Sequence, residues 1–108
     1  MEQLGVAGVT CRDAATQMKV VLRENKGKSG IYRWTNTVTG ASYIGSAVDL
    51  TKRLRQYYSP GYLKKEVLKT RSIVYRALLK YGYPNFSLDI LEHCDVDSLI
   101  EREQYYLD

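Results

Sequence analysis

The stretch GIYRWTNTVTGASYIGS, Gly30–Ser46, decides the fold. Residues 30–35 and 41–46 at its two ends are rich in isoleucine, tyrosine, tryptophan and threonine, which favour strands. The residues between them, 36–40, are Asn-Thr-Val-Thr-Gly and have the composition of a turn. The stretch therefore predicts a β-hairpin.

The hairpin carries Gly-Ile-Tyr, ending at Tyr32, on its first strand and Tyr-Ile-Gly, beginning at Tyr43, on its second. A single tyrosine in a strand is most often a packing residue, because its ring suits a half-buried pleated surface. Two of them on one hairpin, ahead of a basic region and a late acidic region, leave a second role open. The charge pattern bears on that role.

The charge of the chain is divided between two regions. The net charge is +4, yet residues 48–82 carry +7 and residues 83–108 carry −6. The basic region is interleaved with five tyrosines, a pattern typical of a surface that faces phosphate groups. A solvated helical face that binds nothing is the alternative, and charge alone does not decide between them. The acidic region is either solvated surface or the binding site of a divalent cation. The cations expected to contact nucleic acid are Lys52, Arg55, Lys64, Lys65, Arg71 and Arg76.

The chain beyond the hairpin predicts helices and one further strand. Asp49 can cap a helix that begins at residue 50 or 51, and Ser59-Pro60-Gly61 predicts a turn. Residues 62–70 are an optional short helix, and residues 71–82 form a helical stripe that ends at a glycine. The remaining segments are a third strand over 86–91 and a helix after Asp95 or Asp97. The outline is β-β-α-α-β-α, an α/β (α+β) class, in which helices must cover the small sheet.

The N-terminal part divides from the rest at a linker-like segment. Residues 1–11 predict a loop, residues 12–24 a short amphipathic helix, and residues 25–30 a break. We therefore expect an extension and linker over 1–28 and one domain over 29–108.

Composition excludes several classes of protein. The sequence has no run of about 18 apolar residues and no N-terminal apolar segment, so neither a membrane span nor a secretory signal is expected. Cys11 and Cys94 are far apart, which favours reduced thiols in an intracellular compartment. His93 has no histidine or cysteine at a ligand spacing, so a histidine-rich metal site is excluded.

Taken in order, the motifs resemble the GIY-YIG nuclease family, and most of all the catalytic domains of fungal mitochondrial intron-encoded homing endonucleases. The resemblance rests on GIY, YIG, DLTKRLRQYY, ALLKYG, NFSLDIL and LIEREQYY, and it covers residues 29–108. It implies a small three-stranded antiparallel sheet flanked by helices. It also implies metal-dependent hydrolysis of DNA phosphodiester bonds.

The resemblance assigns roles to the two hairpin tyrosines. Tyr32 matches the general base of the family, and nearby cations such as Arg53 and the metal are expected to lower the pKa of its phenol. Tyr43 matches the partner tyrosine that helps to place the nucleophilic water or the phosphate. The hairpin would then hold two hydroxyls at a fixed separation, facing one phosphate.

The resemblance assigns three more residues to the site. Arg53 would grip a phosphate through two donors, and Tyr57 would share its helix face one turn later. Glu103 would be the only protein ligand of one divalent ion, Mg²⁺ or Mn²⁺, with water and phosphate oxygens completing the shell.

The match departs from the family at three points. Relatives carry an asparagine beyond the metal-binding helix, so a catalytic domain truncated after Asp108 is expected. One histidine between the two central helices is missing, and Tyr62 or Tyr75 could take its place. Ser46 follows YIG where some relatives carry a lysine.

Three functions compete at this stage. The first is a metal-dependent DNA endonuclease, the second an inactive nucleic-acid-binding remnant, and the third a structural domain with an incidental basic patch. DNA is the expected partner, with no membrane and no small-molecule substrate. The oligomeric state is open, since cutting both strands needs a weak or transient dimer or two successive nicks. The resemblance places the protein in the mitochondrion.

Overall fold

The computed structural model describes residues 9–11 and 14–107. Its strands and helices are β1 Val9–Cys11, α1 Ala14–Glu24, β2 Gly30–Asn36, β3 Ser42–Ala47, α2 Leu50–Tyr57, α3 Pro60–Glu66, α4 Ile73–Tyr81, β4 Phe86–His93 and α5 Leu99–Leu107, with 3₁₀ turns at Tyr83–Asn85 and Val96–Ser98. The strands form one antiparallel sheet in the order β1-β4-β2-β3. Among the three strands predicted from the sequence, β2, β3 and β4, strand β2 is central. Strand β3 is at the edge of the sheet.

The predicted three-stranded antiparallel sheet is confirmed, and a short fourth strand extends it. The prediction of a loop over residues 1–11 is wrong for Val9–Cys11, which pair with the outer edge of β4. An unpaired strand edge presents free backbone donors and acceptors, so even a segment without sequence periodicity gains hydrogen bonds there. The rest of that loop prediction lies outside the described residues.

The helix predicted over residues 12–24 is present from Ala14 to Glu24, and residues 12 and 13 lie outside the described part. It packs into the main core, where Ala14 and Val21 are fully buried. Thr51 Oγ1 of α2 donates to the Leu22 carbonyl at 2.7 Å, and Tyr58 donates to the Ala14 carbonyl at 2.8 Å. The segment before the hairpin is therefore attached to the rest of the fold through α2.

Three helices, rather than the two in the outline, join β3 to β4. The turn predicted at Ser59-Pro60-Gly61 is instead the cap and first turn of α3. Ser59 Oγ accepts a hydrogen bond from the Tyr62 amide, and Pro60 stands at the first helical position, where its missing N–H costs no hydrogen bond. Asp49 caps α2 as predicted, by accepting from the Lys52 amide at 3.2 Å.

Side chains along each strand alternate between the two faces of the sheet. Both faces are covered by other parts of the chain. One face carries Tyr32 and Trp34 into the main core, together with buried side chains from helices α1 to α4. Helix α5 contacts β3 and β2 on the other face. There Ile31 and Leu99 are buried outside the main core, and Arg102 of α5 binds the Glu92 carboxylate. The edge strand β3 is therefore in contact with a helix on each face, α2 on the main-core face and α5 on the other.

Among the described residues, no helix combines the length and the apolar character needed to cross a membrane.

A candidate active site around the edge strand

Tyr32, Tyr57 and Arg53 meet on the main-core face of the sheet. The hydroxyls of Tyr32 on β2 and Tyr57 on α2 are 2.9 Å apart, and both side chains are buried. Arg53, one helical turn before Tyr57, donates from Nη2 to the Tyr57 hydroxyl at 3.4 Å, and its Cζ lies 4.5 Å from the Tyr57 ring centre. Gln56 Oε1 accepts from Arg53 Nη1 at 2.9 Å. The arginine expected to bind phosphate is therefore fixed by partners on its own helix.

Two further tyrosines, Tyr62 and Tyr75, extend this cluster. The sequence analysis considered them only as substitutes for a missing histidine. Tyr75 of α4 is buried, and its ring stacks edge-on against the Tyr57 ring at 5.5 Å. Its ring centre is also 5.6 Å from Arg53 Cζ. Tyr62 of α3 stacks edge-on against Tyr75 at 6.3 Å. Tyr75 lay outside the apolar stripe predicted for this helix, so its place in the core beside Arg53 was not predicted.

The glycine of the second tripeptide makes room for the tyrosine of the first. Tyr32 and Gly45 are directly paired across β2 and β3, so their side-chain positions share a face. A Cβ atom on Gly45 would lie 2.4 Å from the Tyr32 hydroxyl and 2.5 Å from its Cζ. The ring therefore crosses the edge strand at the only residue type without a side chain. The two tripeptides are one unit of packing.

Tyr43 lies on the same sheet face, two residues before Gly45, and pairs with Trp34. Its side chain is half-buried and packs against the main core. The alternation of strand side chains thus supports the expectation that Tyr32 and Tyr43 point to one side of the hairpin. That their hydroxyls face the same phosphate stays a prediction.

Glu103 occupies the other side of the edge strand. It lies on α5, and its Oε1 accepts a hydrogen bond from Ser46 Oγ at 2.5 Å. Ser46 directly follows Gly45, so the carboxylate reaches β3 one residue from the glycine that the Tyr32 ring crosses. Its side chain is half-exposed.

The residues around Glu103 fit a single hard cation that keeps most of its water. Within the part of the chain that the structure describes, no group of three or more histidine, cysteine or acidic residues could enclose a metal ion. The donors at this position are oxygens, a carboxylate and a hydroxyl, which suit Mg²⁺ or Mn²⁺ better than softer metals. This chemistry agrees with the expectation of one protein carboxylate and a mostly aqueous shell.

An open cleft of about 400 Å³ lies where β3 runs into α2. It is lined by Ala47, Val48, Asp49, Lys52, Arg53 and Gln56. Arg53 brings the tyrosine cluster to this cleft, and Ala47 is the neighbour of Ser46. The cleft therefore adjoins both halves of the candidate site.

The environment of the tyrosine cluster changes the acid–base expectation. Burial raises the pKa of the Tyr32 phenol above its usual value, while the Tyr57 hydroxyl and the Arg53 guanidinium lower it by less. Burial also raises the pKa of Tyr57, and the neighbouring Tyr32 hydroxyl adds to that rise. Arg53 does lower the pKa of Tyr32, as expected. The loss of solvation on burial has the larger effect, however, so the net shift of this pKa is upward. The Tyr32 phenol is therefore harder to ionise in this environment than a free phenol.

The predicted nucleic-acid contacts form an accessible basic surface. All six side chains are exposed, and none of them forms an ion pair with another described residue. They are Lys52 and Arg55 on α2, Lys64 and Lys65 on α3, Arg71 before α4 and Arg76 within it.

Comparisons with known proteins agree with these observations. The model of the GIY-YIG catalytic domain family matches residues 28–108. A protein of Neurospora crassa described as probable intron-encoded endonuclease 1 is 32% identical over 89 residues, which cover 82% of this chain. The chain spans only 26% of that relative's length.

Two solved structures have the same fold. The catalytic domain of homing endonuclease I-TevI is 33% identical, with a TM-score of 0.56 over 74% of this chain and 85% of that chain. An alanine-substituted mutant of the catalytic domain of intron endonuclease I-TevI is 35% identical, with a TM-score of 0.59 over 74% of this chain and 80% of that chain.

Proposed function

The chain belongs to the GIY-YIG catalytic domain family, and on that premise we propose that it is a metal-dependent endonuclease that hydrolyses DNA phosphodiester bonds. The observation that carries the proposal is the meeting of two half-sites at one edge strand. Arg53, packed against its tyrosines, lines the cleft on one side of β3, and Glu103 reaches the neighbouring Ser46 from the other.

Arg53 is the phosphate-binding group in this proposal. Hydrolysis adds a water oxygen to phosphorus and breaks the bond to the 3′ oxygen, so negative charge grows on the phosphoryl oxygens. A planar guanidinium fixed in advance can donate two hydrogen bonds to those oxygens without reorganising. Burial lowers the pKa of Arg53, but the Tyr57, Tyr32 and Tyr75 hydroxyls together raise it above its usual value, and a guanidinium is in any case always charged at neutral pH.

Tyr32 orients the attacking water before it takes a proton. Its neutral hydroxyl is hydrogen-bonded to Tyr57 at 2.9 Å, which fixes the Tyr32 oxygen over Gly45. That oxygen can accept a hydrogen bond from water, and Tyr43 on the same strand face can contact the water or the phosphate. Proton transfer to Tyr32 requires its ionised form, which its raised pKa makes rare at neutral pH.

Glu103 is the proposed metal ligand, with Ser46 holding one of its carboxylate oxygens. When bound there, a divalent ion would supply charge stabilisation to the phosphate and the leaving oxygen. The mitochondrial setting and a weak dimer for cutting both strands complete the proposal. The first is supported by the similarity to an intron-encoded endonuclease of Neurospora crassa, and the second by the single active site of the fold.

An inactive binding remnant is the second candidate, and the six exposed cations support it, because they can bind phosphates without any catalytic group. Such a remnant would use the basic surface alone. If all six exposed cations neutralise phosphates, the logarithm of its DNA affinity should fall with the logarithm of salt with a slope of about −5.

Nicking of supercoiled plasmid with Mg²⁺ or Mn²⁺ separates the two candidates. Wild type should nick, Arg53→Ala should not, and Arg23→Ala on the exposed face of α1 should nick as wild type does. Folded wild type that binds DNA with a steep salt dependence and never nicks would establish the remnant. Salt-independent binding would contradict both.

A further inference from the structure

The sheet-facing side of helix α5 is mostly polar. Leu99, Arg102, Glu103 and Tyr106 recur at the spacing that places side chains on one helix face, and the other residues of the helix are exposed. Leu99 is the buried residue of this face. Apolar burial holds a helix without specifying its register, whereas hydrogen bonds are directional. The position of α5 on the sheet therefore depends on the bonds that its three polar residues make.

One row of residues crosses three strands beneath this face. Ile31 on the central strand β2 pairs with Glu92 of β4 on one side and with Ser46 of β3 on the other. Ile31 is fully buried. Neighbouring strands are about 4.8 Å apart, so Glu92 and Ser46 lie about 10 Å apart at the two ends of the row.

Consecutive residues of α5 bind the two ends of this row. Arg102 donates from Nε and Nη2 to the Glu92 carboxylate, at 2.8 and 2.7 Å. Tyr106, one turn later, donates its hydroxyl to the same carboxylate at 2.8 Å. At the other end of the row, Glu103 accepts from Ser46 at 2.5 Å. Three hydrogen bonds to Glu92 therefore hold the helix while the candidate metal ligand lies at the opposite end.

A register shift between β2 and β4 brings Glu92 into the row. Tyr32 pairs with Ile90. Its neighbour Ile31 pairs with Glu92 instead of Leu91, so Leu91 is an extra residue of β4 between the two pairs. Such bulges often redirect a side chain next to an active site. The shift therefore supplies the carboxylate that α5 binds.

We propose that Arg102 and Tyr106 are positioning residues for the metal site. By binding Glu92 they fix the register of α5, and this holds the Glu103 carboxylate at Ser46. The inference rests on the proposed function, in which Glu103 is the metal ligand. The side chains of the Arg102–Glu92 pair are 35% and 22% exposed, and such exposed pairs contribute little to stability. The main effect of the pair is therefore on geometry.

The test measures Mn²⁺ binding directly, by the paramagnetic broadening of the Ser46 and Glu103 amide signals in NMR spectra of the DNA-free protein. In Arg102→Gln, the Mn²⁺ concentration at half-maximal broadening should rise by about tenfold. Simple electrostatics predicts the opposite change, because removing a cation near the site would strengthen cation binding. Tyr106→Phe changes no charge and leaves the Arg102 bonds in place, so its rise should be smaller, about threefold.

Arg33→Gln is the matched control for Arg102→Gln. Arg33 lies two residues after Ile31 on the same strand face, and it binds Asp89 of β4 at 2.9 Å rather than α5. Its loss should lower the melting temperature at least as much, because the Asp89 carboxylate is buried and would lose its ion pair. It should nevertheless bind Mn²⁺ as wild type does. Tyr105→Phe, on the exposed side of α5, is the control for Tyr106→Phe and should be neutral.

Four outcomes would overturn the positioning role. Wild-type or tighter Mn²⁺ binding by folded Arg102→Gln would do so and would leave the metal site intact. An equal loss in Arg33→Gln would show a general loosening of the fold instead. If Arg102→Gln does not fold, Tyr106→Phe decides, and binding equal to that of Tyr105→Phe would contradict the proposal. Wild type without broadening at Ser46 and Glu103 would contradict the proposed function as well.

Discussion

The two sides of the edge strand hold their functional groups in different ways. On the main-core side, Arg53 is packed against two aromatic rings and the Tyr32 hydroxyl is buried against Tyr57. On the α5 side, Glu103 is half-exposed, and the structure gives it one hydrogen-bond partner, Ser46. The first region is fixed in advance by neighbours, while the second leaves room for water.

This difference matches what each group must do in the proposed reaction. A guanidinium that stabilises developing charge works best when it does not reorganise, so it benefits from rigid packing. A carboxylate that binds a hydrated cation must leave positions for water and phosphate oxygens, so it benefits from exposure. Gly45 and Ser46 are consecutive residues that serve one region each.

Gly45→Ala should affect both stability and activity, because Gly45 lies at the junction of the two regions. The new Cβ would lie 2.4 Å from the Tyr32 hydroxyl, so the ring must leave its place. We expect a loss of about 1–3 kcal/mol in the free energy of unfolding, measured by urea denaturation. Nicking should fall by more than about 100-fold.

Gly61→Ala is the matched control, since nothing lies within 4 Å of a Cβ there. It should keep wild-type activity. A fully active Gly45→Ala would show that the position of the Tyr32 ring does not matter for chemistry.

Arg53→Lys should impair only the main-core side of the site. Lysine keeps the charge but loses the planar fork, so the nicking rate at saturating Mg²⁺ should fall by about 100-fold. The Mg²⁺ concentration at half-maximal rate should not change, because Glu103 is untouched. Arg23→Lys, on the exposed face of α1, is the control and should be neutral. A shifted Mg²⁺ requirement in Arg53→Lys would mean that the regions are not separate.

Ser46→Ala should give the opposite pattern. Losing the hydrogen bond that orients Glu103 should raise the half-maximal Mg²⁺ concentration by about 10-fold. The rate at saturating Mg²⁺ should be close to that of wild type. Ser42→Ala is the control, since Ser42 lies on the same strand and face but is exposed. A rate loss that Mg²⁺ does not restore would contradict a positioning role for Ser46.

The smallest effect concerns stability at alkaline pH. Burial raises the pKa of Tyr83 to about 12, against about 10 in the unfolded chain, and its hydroxyl donates to the Tyr57 carbonyl. Its contribution to stability is therefore fully present below about pH 10 and is lost as the pH rises towards about 12.

Tyr83→Phe should thus lose less stability than wild type over that range. The expected difference is about 1 kcal/mol or less, because much of the side chain meets solvent. Melting temperatures at pH 9 to pH 11.5 would measure it, with Tyr105→Phe as the exposed control. Parallel curves for wild type and Tyr83→Phe would contradict the assignment.

The sequence predicted the fold and the residues of both regions, but not how those residues are held. The hairpin, the capped α2 and the α4 stripe follow from local patterns, which is why they were predictable. Strand β1 has no periodicity and exists because β4 offers an edge. The partners of Arg53 at Gln56 and Tyr75, and the passage of the Tyr32 ring over Gly45, arise from tertiary packing. No local pattern encodes such contacts.

The central claim is that Glu103 makes the edge of the sheet at β3 a metal-dependent nuclease site. Its most direct test is the single-turnover nicking rate as a function of Mg²⁺ for wild type, Glu103→Gln and Glu101→Gln, two glutamates on one helix of which Glu101 is exposed. Wild type and Glu101→Gln should share one saturable Mg²⁺ dependence, and Glu103→Gln should be slower by at least about 1,000-fold. Equal rates for the two variants, or wild-type nicking that persists in chelator, would contradict the claim.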